Sequence, residues 1–249
     1  MTEALLDVQD LRKTFGALRA SDGIHFEVRP GETHAVIGPN GAGKTTFISQ
    51  LAGNLRPDSG RIRFAGEDIT DFPAPRRARK GLARSFQITS VYAEFSALQN
   101  VALAIQAHAG HSFRFWRDAR RDPALTRPAE KVLQEVGLGE RTHIVAANLA
   151  HGEQRQLEVA MALATGPRLL LLDEPMAGMG IEESQRMIGL LSSLKRKQTI
   201  VLVEHDMDAV FRLADRISVL VYGRLIATGA PEEIRANPAV RAAYLGEDA

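Results

Sequence analysis

The chain contains no cysteine. Disulfides, thiolate metal sites and cysteine nucleophiles are thereby excluded. It also lacks any run approaching ~18 uncharged apolar residues, so no membrane-spanning helix is predicted. Charge of one sign is not in excess: 31 Lys and Arg face 30 Asp and Glu, for a net charge of +1. That balance gives no reason to expect a polyanionic partner, and nucleic acid is not anticipated. The opening MTEALLDVQD is acidic and shows no basic stretch followed by an apolar run, so no secretory signal is expected. Internal repeats, low-complexity segments and sustained heptads are missing too. What is present is 249 residues, 45% of them hydrophobic. That suffices for one large α/β domain, or a core with a smaller lobe.

Two segments, ALLDVQDLRKTF and IHFEVRPGETHAVIG, read as short strands broken by Gly and Pro. A helix pattern opens at Lys44 and stops at Gly53. SGRIRFAGEDI reads as another strand, and Pro73 to Gly81 is basic and proline-broken. From near Leu98 to Val136 the pattern is mostly helical with an interruption. There AGHSFRFWRDARRDPALTRP, with two prolines and an arginine cluster, reads as an exposed insertion. It is either a solvated helical hairpin or a contact for anions or lipid headgroups. After Gly152, the residues Leu157, Met161 and Ala164 fall at helical spacing. RLLLLDE, TIVLVEHD and RISVLVYG are continuous apolar runs, as in strands buried on both faces. Strands alternating with helices predict an α/β fold with a mostly parallel sheet.

The segment GPNGAGKTT, Gly38-Pro39-Asn40-Gly41-Ala42-Gly43-Lys44-Thr45-Thr46, fits G-x-x-x-x-G-K-[ST] between a strand and a helix. Glycines let the chain curl with its N–H groups turned inward, and those groups with the helix N-terminus bind phosphate oxygens. Lys44 is suited to bridge the β- and γ-phosphates, and the Thr45 hydroxyl to Mg²⁺. A Mg-nucleotide site also needs a carboxylate at a neighbouring strand end. Asp173 supplies it, and Glu174 beside it can polarise an attacking water.

Five elements follow one order over nearly the whole chain: GPNGAGKTT, SFQ, LAHGEQRQ, LLLLDEP and VEHD. In this the chain resembles the ATP-binding subunits of ABC transporters. The resemblance implies a P-loop NTPase cassette with a mostly parallel core, an antiparallel β subdomain and a helical subdomain. The cassette would span residues 1–249, with core and β parts at about 1–86 and 167–249. The helical part would cover about 87–166, with the insertion near 106–130. It implies ATP and Mg²⁺ as cofactors, with Thr45, Gln87 and Asp173 toward the metal and Phe15 stacking on adenine. Glu174, His205 and Gln87 would serve hydrolysis. In this family ATP is hydrolysed between two cassettes, so Leu149-Ala150-His151-Gly152-Glu153 would face the partner's glycine loop, helix N-terminus first.

Two positions depart from the family pattern. Ala150 stands where the signature usually has serine, and Gly180 where many relatives carry aspartate. Both missing groups would act on the partner's nucleotide. A heterodimer with unequal sites is therefore expected, with a homodimer as the alternative. GLARSFQ, the insertion, LDEPMAGM with VEHDMDAV, and NPAVRAAYLGE are most similar to the ATP-binding subunits of branched-chain amino-acid importers. That implies transmembrane permease subunits, a second ATP-binding subunit and, indirectly, a substrate-binding protein, at the cytoplasmic side of the inner membrane. Ile88, Val91, Tyr92, Phe95 and Leu98 would lie where a short cytoplasmic helix of the permease docks, or else in the core. Other readings are the ATPase of a lipopolysaccharide-type exporter, a regulatory nucleotide-binding module with weak hydrolysis, and a soluble ATPase of DNA repair or translation. The last is disfavoured by the single motif set.

Overall fold

The computed structural model describes residues 3–85, 91–109 and 122–245. Strands β1 (Leu6–Phe15) and β2 (Leu18–Val28) form a long antiparallel hairpin. With β4 (Ser59–Phe64) and β5 (Glu67–Asp68) they make an antiparallel sheet in the order β2-β1-β4-β5. The second sheet contains β3 (Thr33–Ile37), β6 (Leu82–Arg84), β7 (Leu169–Asp173), β8 (Thr199–Val203), β9 (Arg216–Val221) and β10 (Arg224–Gly229). Its order is β10-β9-β3-β8-β7-β6, and every pairing is parallel except the β9–β10 hairpin at one edge.

The continuous apolar runs are explained by where these strands sit. Every residue of β3, β7 and β8 is buried. Successive side chains of a strand point to opposite faces. Leu169 and Leu171 therefore join one core layer, with Phe47, Ile48 and the antiparallel sheet. Leu170 and Leu172 join the other, with Leu157, Met187 and Val101.

The described helices are α1 (Lys44–Ala52), α2 (Ala74–Arg79), α3 (Ala97–Ala109), α4 (Pro123–Glu135), α5 (His151–Leu163), α6 (Ile181–Leu194), α7 (Met207–Leu213), α8 (Pro231–Ala236) and α9 (Pro238–Leu245). Both ends of the span read as an exposed insertion are ordinary helix. Asp122 caps α4 by accepting from the Ala124 N–H, and Pro123 follows in the first turn, where its missing N–H is harmless. Pro128 does not end the helix; it lies on the exposed face, and Leu125, Ala129 and Leu133 keep a buried stripe through it. The arginine cluster between these helices lies outside the described residues. The basic, proline-broken stretch holds α2, whose Arg77 is 1% exposed. Its guanidinium donates to the carbonyls of Gln50, Leu51, Phe72 and Thr70. It thus satisfies the last turn of α1. Burial pulls its pKa down to about 10, still far above neutrality. Among the described residues, no helix is long and apolar enough to cross a membrane.

Candidate nucleotide site

The glycine loop leaves β3 and returns into α1. Its glycines are required by crowding as well as by curvature. A Cβ at Gly38 would overlap the Leu220 carbonyl oxygen, and one at Gly43 would overlap that of Ala20. Gly43 also sits at φ 106°, which L side chains rarely adopt. No side chain caps the N-terminus of α1. Such an end is suited to an anion, because its first amides have no intrahelical partner. The Lys44 ammonium folds back over the loop and donates to the carbonyls of Gly38 at 2.7 Å and Pro39 at 3.1 Å. Burial pushes its pKa below the usual lysine range, while the charges of Glu174 and Asp173 oppose that shift.

Asp173 ends β7, 1% exposed. Burial raises its pKa, and Arg84 counteracts the rise, Nη2 donating to Oδ2 at 2.8 Å. The other oxygen, Oδ1, is buried with no hydrogen-bond partner. Glu174 follows at φ 50°, in the left-handed region, and its N–H donates to the Val203 carbonyl. A non-glycine residue held there stores strain that the surrounding structure must sustain. The next anchor is Glu204, at the end of β8 and fully buried. Oε1 accepts from the Met176 N–H, just past Glu174, and Oε2 from the His205 N–H, both at 3.0 Å. The His205 ring itself is exposed, its Nδ1 3.7 Å from Glu204 Oε2.

The sequence-predicted residues thus fall into three groups. Residues 38–46, Asp173 and Glu174 come together, and Glu204 ties His205 to the loop that follows Glu174. Phe15 stands apart on the tip of the β1–β2 hairpin, 49% exposed, with the Lys13 ammonium 5.5 Å from its ring centre. Ala150, Gly152 and Glu153 open α5 beside a different cavity of ≈ 670 Å³. Ala150 is the N-cap and offers no side-chain acceptor. Only the reverse half of a capping box is made, from the Ala150 N–H to Glu153 Oε2 at 3.0 Å. The Gly152 N–H donates to Glu183 Oε1, while Oε2 of the same carboxylate accepts from the Gly180 N–H, both at 3.1 Å. Gln87 lies outside the described residues.

Sequence reasoning assigned no role to Arg84, Glu204 or Glu183. Two of them stood inside quoted motifs, GLARSFQ and VEHD. An ionisable residue at the end of an otherwise apolar strand was the signal available for both. Nothing in the sequence marked Glu183, because its partner Gly152 is 31 residues away.

A glycine loop on a helix N-terminus, beside a strand-end acidic pair at a parallel sheet, defines a nucleotide-binding cassette. Residues 21–177 match the family described as ABC transporter, and residues 224–249 the family described as branched-chain amino acid ATP-binding cassette transporter. The chain belongs to the ABC transporter family, as an ATP-binding and ATP-hydrolysing cassette. It is 38% identical to the high-affinity branched-chain amino acid transport ATP-binding protein BraF of Pseudomonas aeruginosa, covering 99% of this chain and 100% of that one. LivG of Escherichia coli K12, with the same description, is 36% identical over the same shares. The ADP conformation of an ATP-binding cassette of an ABC transporter superposes with TM-score 0.87 at 28% identity, over 99% of this chain and 100% of the other.

Proposed function

We propose that this chain is the ATP-hydrolysing subunit of an importer for branched-chain amino acids or related small polar solutes, peripheral at the cytoplasmic face of the inner membrane. Full-length likeness to BraF and LivG supports that cargo class. The observation that carries the chemistry is the pairing of a buried Lys44 ammonium on loop carbonyls with an unpartnered Asp173 oxygen. The uncapped end of α1 fits phosphate, and the open oxygen of a buried carboxylate fits a hydrated divalent cation. Thr45, Gln87 and Asp173 would hold Mg²⁺, which when bound neutralises phosphate charge. Lys44 exchanges its two carbonyl partners for phosphate oxygens as ATP enters. The backbone of residues 38–46 orients the phosphates, and Phe15 stacks on adenine. Glu174 polarises the attacking water and His205 positions it, both held in register by Glu204.

The partner surfaces belong to the same reading. The helix end at Ala150, Gly152 and Glu153 meets the γ-phosphate held by a second cassette. With no serine hydroxyl at Ala150 and no aspartate at Gly180, that second site is the weaker one, as in a heterodimer. An apolar cavity of ≈ 380 Å³, bordered by Pro75, Leu82, Ala104 and Met161, supports docking of a short permease helix. Of the apolar run expected there, Val91 and Leu98 pack against the helical core. Tyr92 is 55% exposed and stacks on Phe95 at 5.4 Å, and Ile88 lies outside the described residues. The binding protein acts only through the permeases.

Two substitutions test the site. Lys44→Ala should abolish binding of a fluorescent ATP analogue. Glu174→Gln should keep binding, lose turnover by 100-fold or more on the order expected for a lost general base, and accumulate as an ATP-bound dimer by light scattering. Undiminished turnover in Glu174→Gln would remove that residue from its role.

A further inference from the structure

Arg84 ends β6, three residues before Gln87, and its side chain is 10% exposed against 0% for its partner Asp173. Nη2 donates to Asp173 Oδ2 at 2.8 Å, and Nη1 to Ser49 Oγ on α1 at 3.2 Å. The guanidinium thus joins β6, β7 and α1 at the strand end where the acidic pair begins. As a stabilising device the arrangement is poor. Buried ion pairs seldom outperform apolar packing, and here Nε of Arg84 and Oδ1 of Asp173 are both buried without hydrogen-bond partners. The pairing is selective, however. One carboxylate oxygen is taken and the other is left as an open acceptor.

We propose that Arg84 is a positioning residue for the metal side of the nucleotide site. It fixes the Asp173 carboxylate through Oδ2, keeps Oδ1 available to a hydrated divalent cation, and limits how tightly that cation is held. The proposal rests on the reading of Asp173 as the metal-side carboxylate. Its physics is a competition between two cations for one carboxylate. A fixed positive charge in a low-dielectric pocket partly neutralises Asp173 and repels an arriving divalent ion. Without Arg84 the full carboxylate charge falls to the metal. With it, the ion is bound more weakly, and the carboxylate keeps one orientation between arrivals.

The experiment compares nucleotide affinity with and without metal. A fluorescent ATP analogue is titrated onto the full chain in EDTA and in saturating Mg²⁺, and the ratio of the two dissociation constants measures the gain from the metal. In Arg84→Gln that gain should rise by about tenfold or more. In Arg84→Lys, which keeps the charge, it should stay within about threefold of the wild type. In the double variant Arg84→Gln, Asp173→Asn the increase should vanish, because Arg84 acts only through Asp173. Should Arg84→Gln not fold by circular dichroism, Arg84→Met removes the same charge with apolar packing in its place. A gain equal to the wild type in the charge-removing variant would overturn the proposal, as would an equal change in Arg84→Lys. A wild-type ratio of one would instead overturn the metal-side reading of Asp173 beneath it.

Discussion

Position 150 shows how much one side chain decides. Helix α5 starts there without a side-chain acceptor, so its third amide, at Glu153, lacks the bond that serine would supply, while the second, at Gly152, already has Glu183. Ala150→Ser should therefore stabilise the cassette by about 1 kcal/mol and raise the melting temperature by roughly 2–4 °C. Calorimetry checks this, and an unchanged melting temperature would show the cap to be already satisfied. On the proposed reading of this helix end, the same serine would add a hydroxyl donor toward the partner's phosphate. The neighbouring Gly152 N–H is held by Glu183, which also caps α6 through Gly180. Those two amides hold the Glu183 pKa below the usual carboxylate range. This is the reverse half of a capping box, and the acceptor that aspartate at 180 would offer to the first-turn amides of α6 stays missing. Both departures from the family pattern were visible residue by residue. That Glu183 touches both helix ends was not.

Between elements, Glu204 connects the exit of β7 to the exit of β8. Each of its oxygens accepts from the backbone of a different loop. Glu204→Gln keeps the shape but turns an amide NH₂ toward one of those N–H donors. Leaving a buried donor unpaired costs about 1–3 kcal/mol. The melting temperature should fall accordingly, and ATP turnover should fall more than ATP affinity, since Glu174 and His205 lose their common anchor. Turnover and dissociation constant measured on the same preparation separate the two effects. An equal loss in both would assign Glu204 to folding alone. The strand identities were legible here, because residues 169–172 and 200–203 are apolar at every position. The cross-link was not, because a charged residue after a buried strand reads the same whether it faces water or a neighbouring loop.

At the scale of the whole molecule, His34 joins the two sheets. It lies on β3, fully buried, 4.4 Å from the Phe26 ring. Nδ1 lies 3.0 Å from the Glu27 carbonyl, which can only accept, so Nδ1 carries the proton. Nε2 therefore accepts from Ser218 Oγ, and Ser218 in turn accepts from Thr228. Burial, helped by Arg216, drives the His34 pKa down to about 3. Glu32 lies 3.5 Å away, and Asp7 and His25 border the same cavity. The unfolded chain protonates this histidine near its ordinary value while the folded chain does not. Stability is therefore intact above about pH 6.5 and declines below it, by up to about 1.4 kcal/mol per pH unit from this residue. Denaturant unfolding at pH 7 and pH 5.5 should show that slope in the wild type and its loss in His34→Gln. The assembly gives a second test: the chain alone should hydrolyse ATP more slowly than when mixed with its proposed second cassette, and equal rates would remove the unequal-site heterodimer. By itself the sequence determined the class and the phosphate loop, because GPNGAGKTT, LLLLDE and VEHD are local patterns whose chemistry follows from adjacent residues. Only the tertiary structure decided the pairings of Arg84 with Asp173, Gly152 with Glu183, and His34 with Ser218. Those partners are 89, 31 and 184 residues apart, and no local pattern encodes which side chains the sheet order brings within hydrogen-bonding distance.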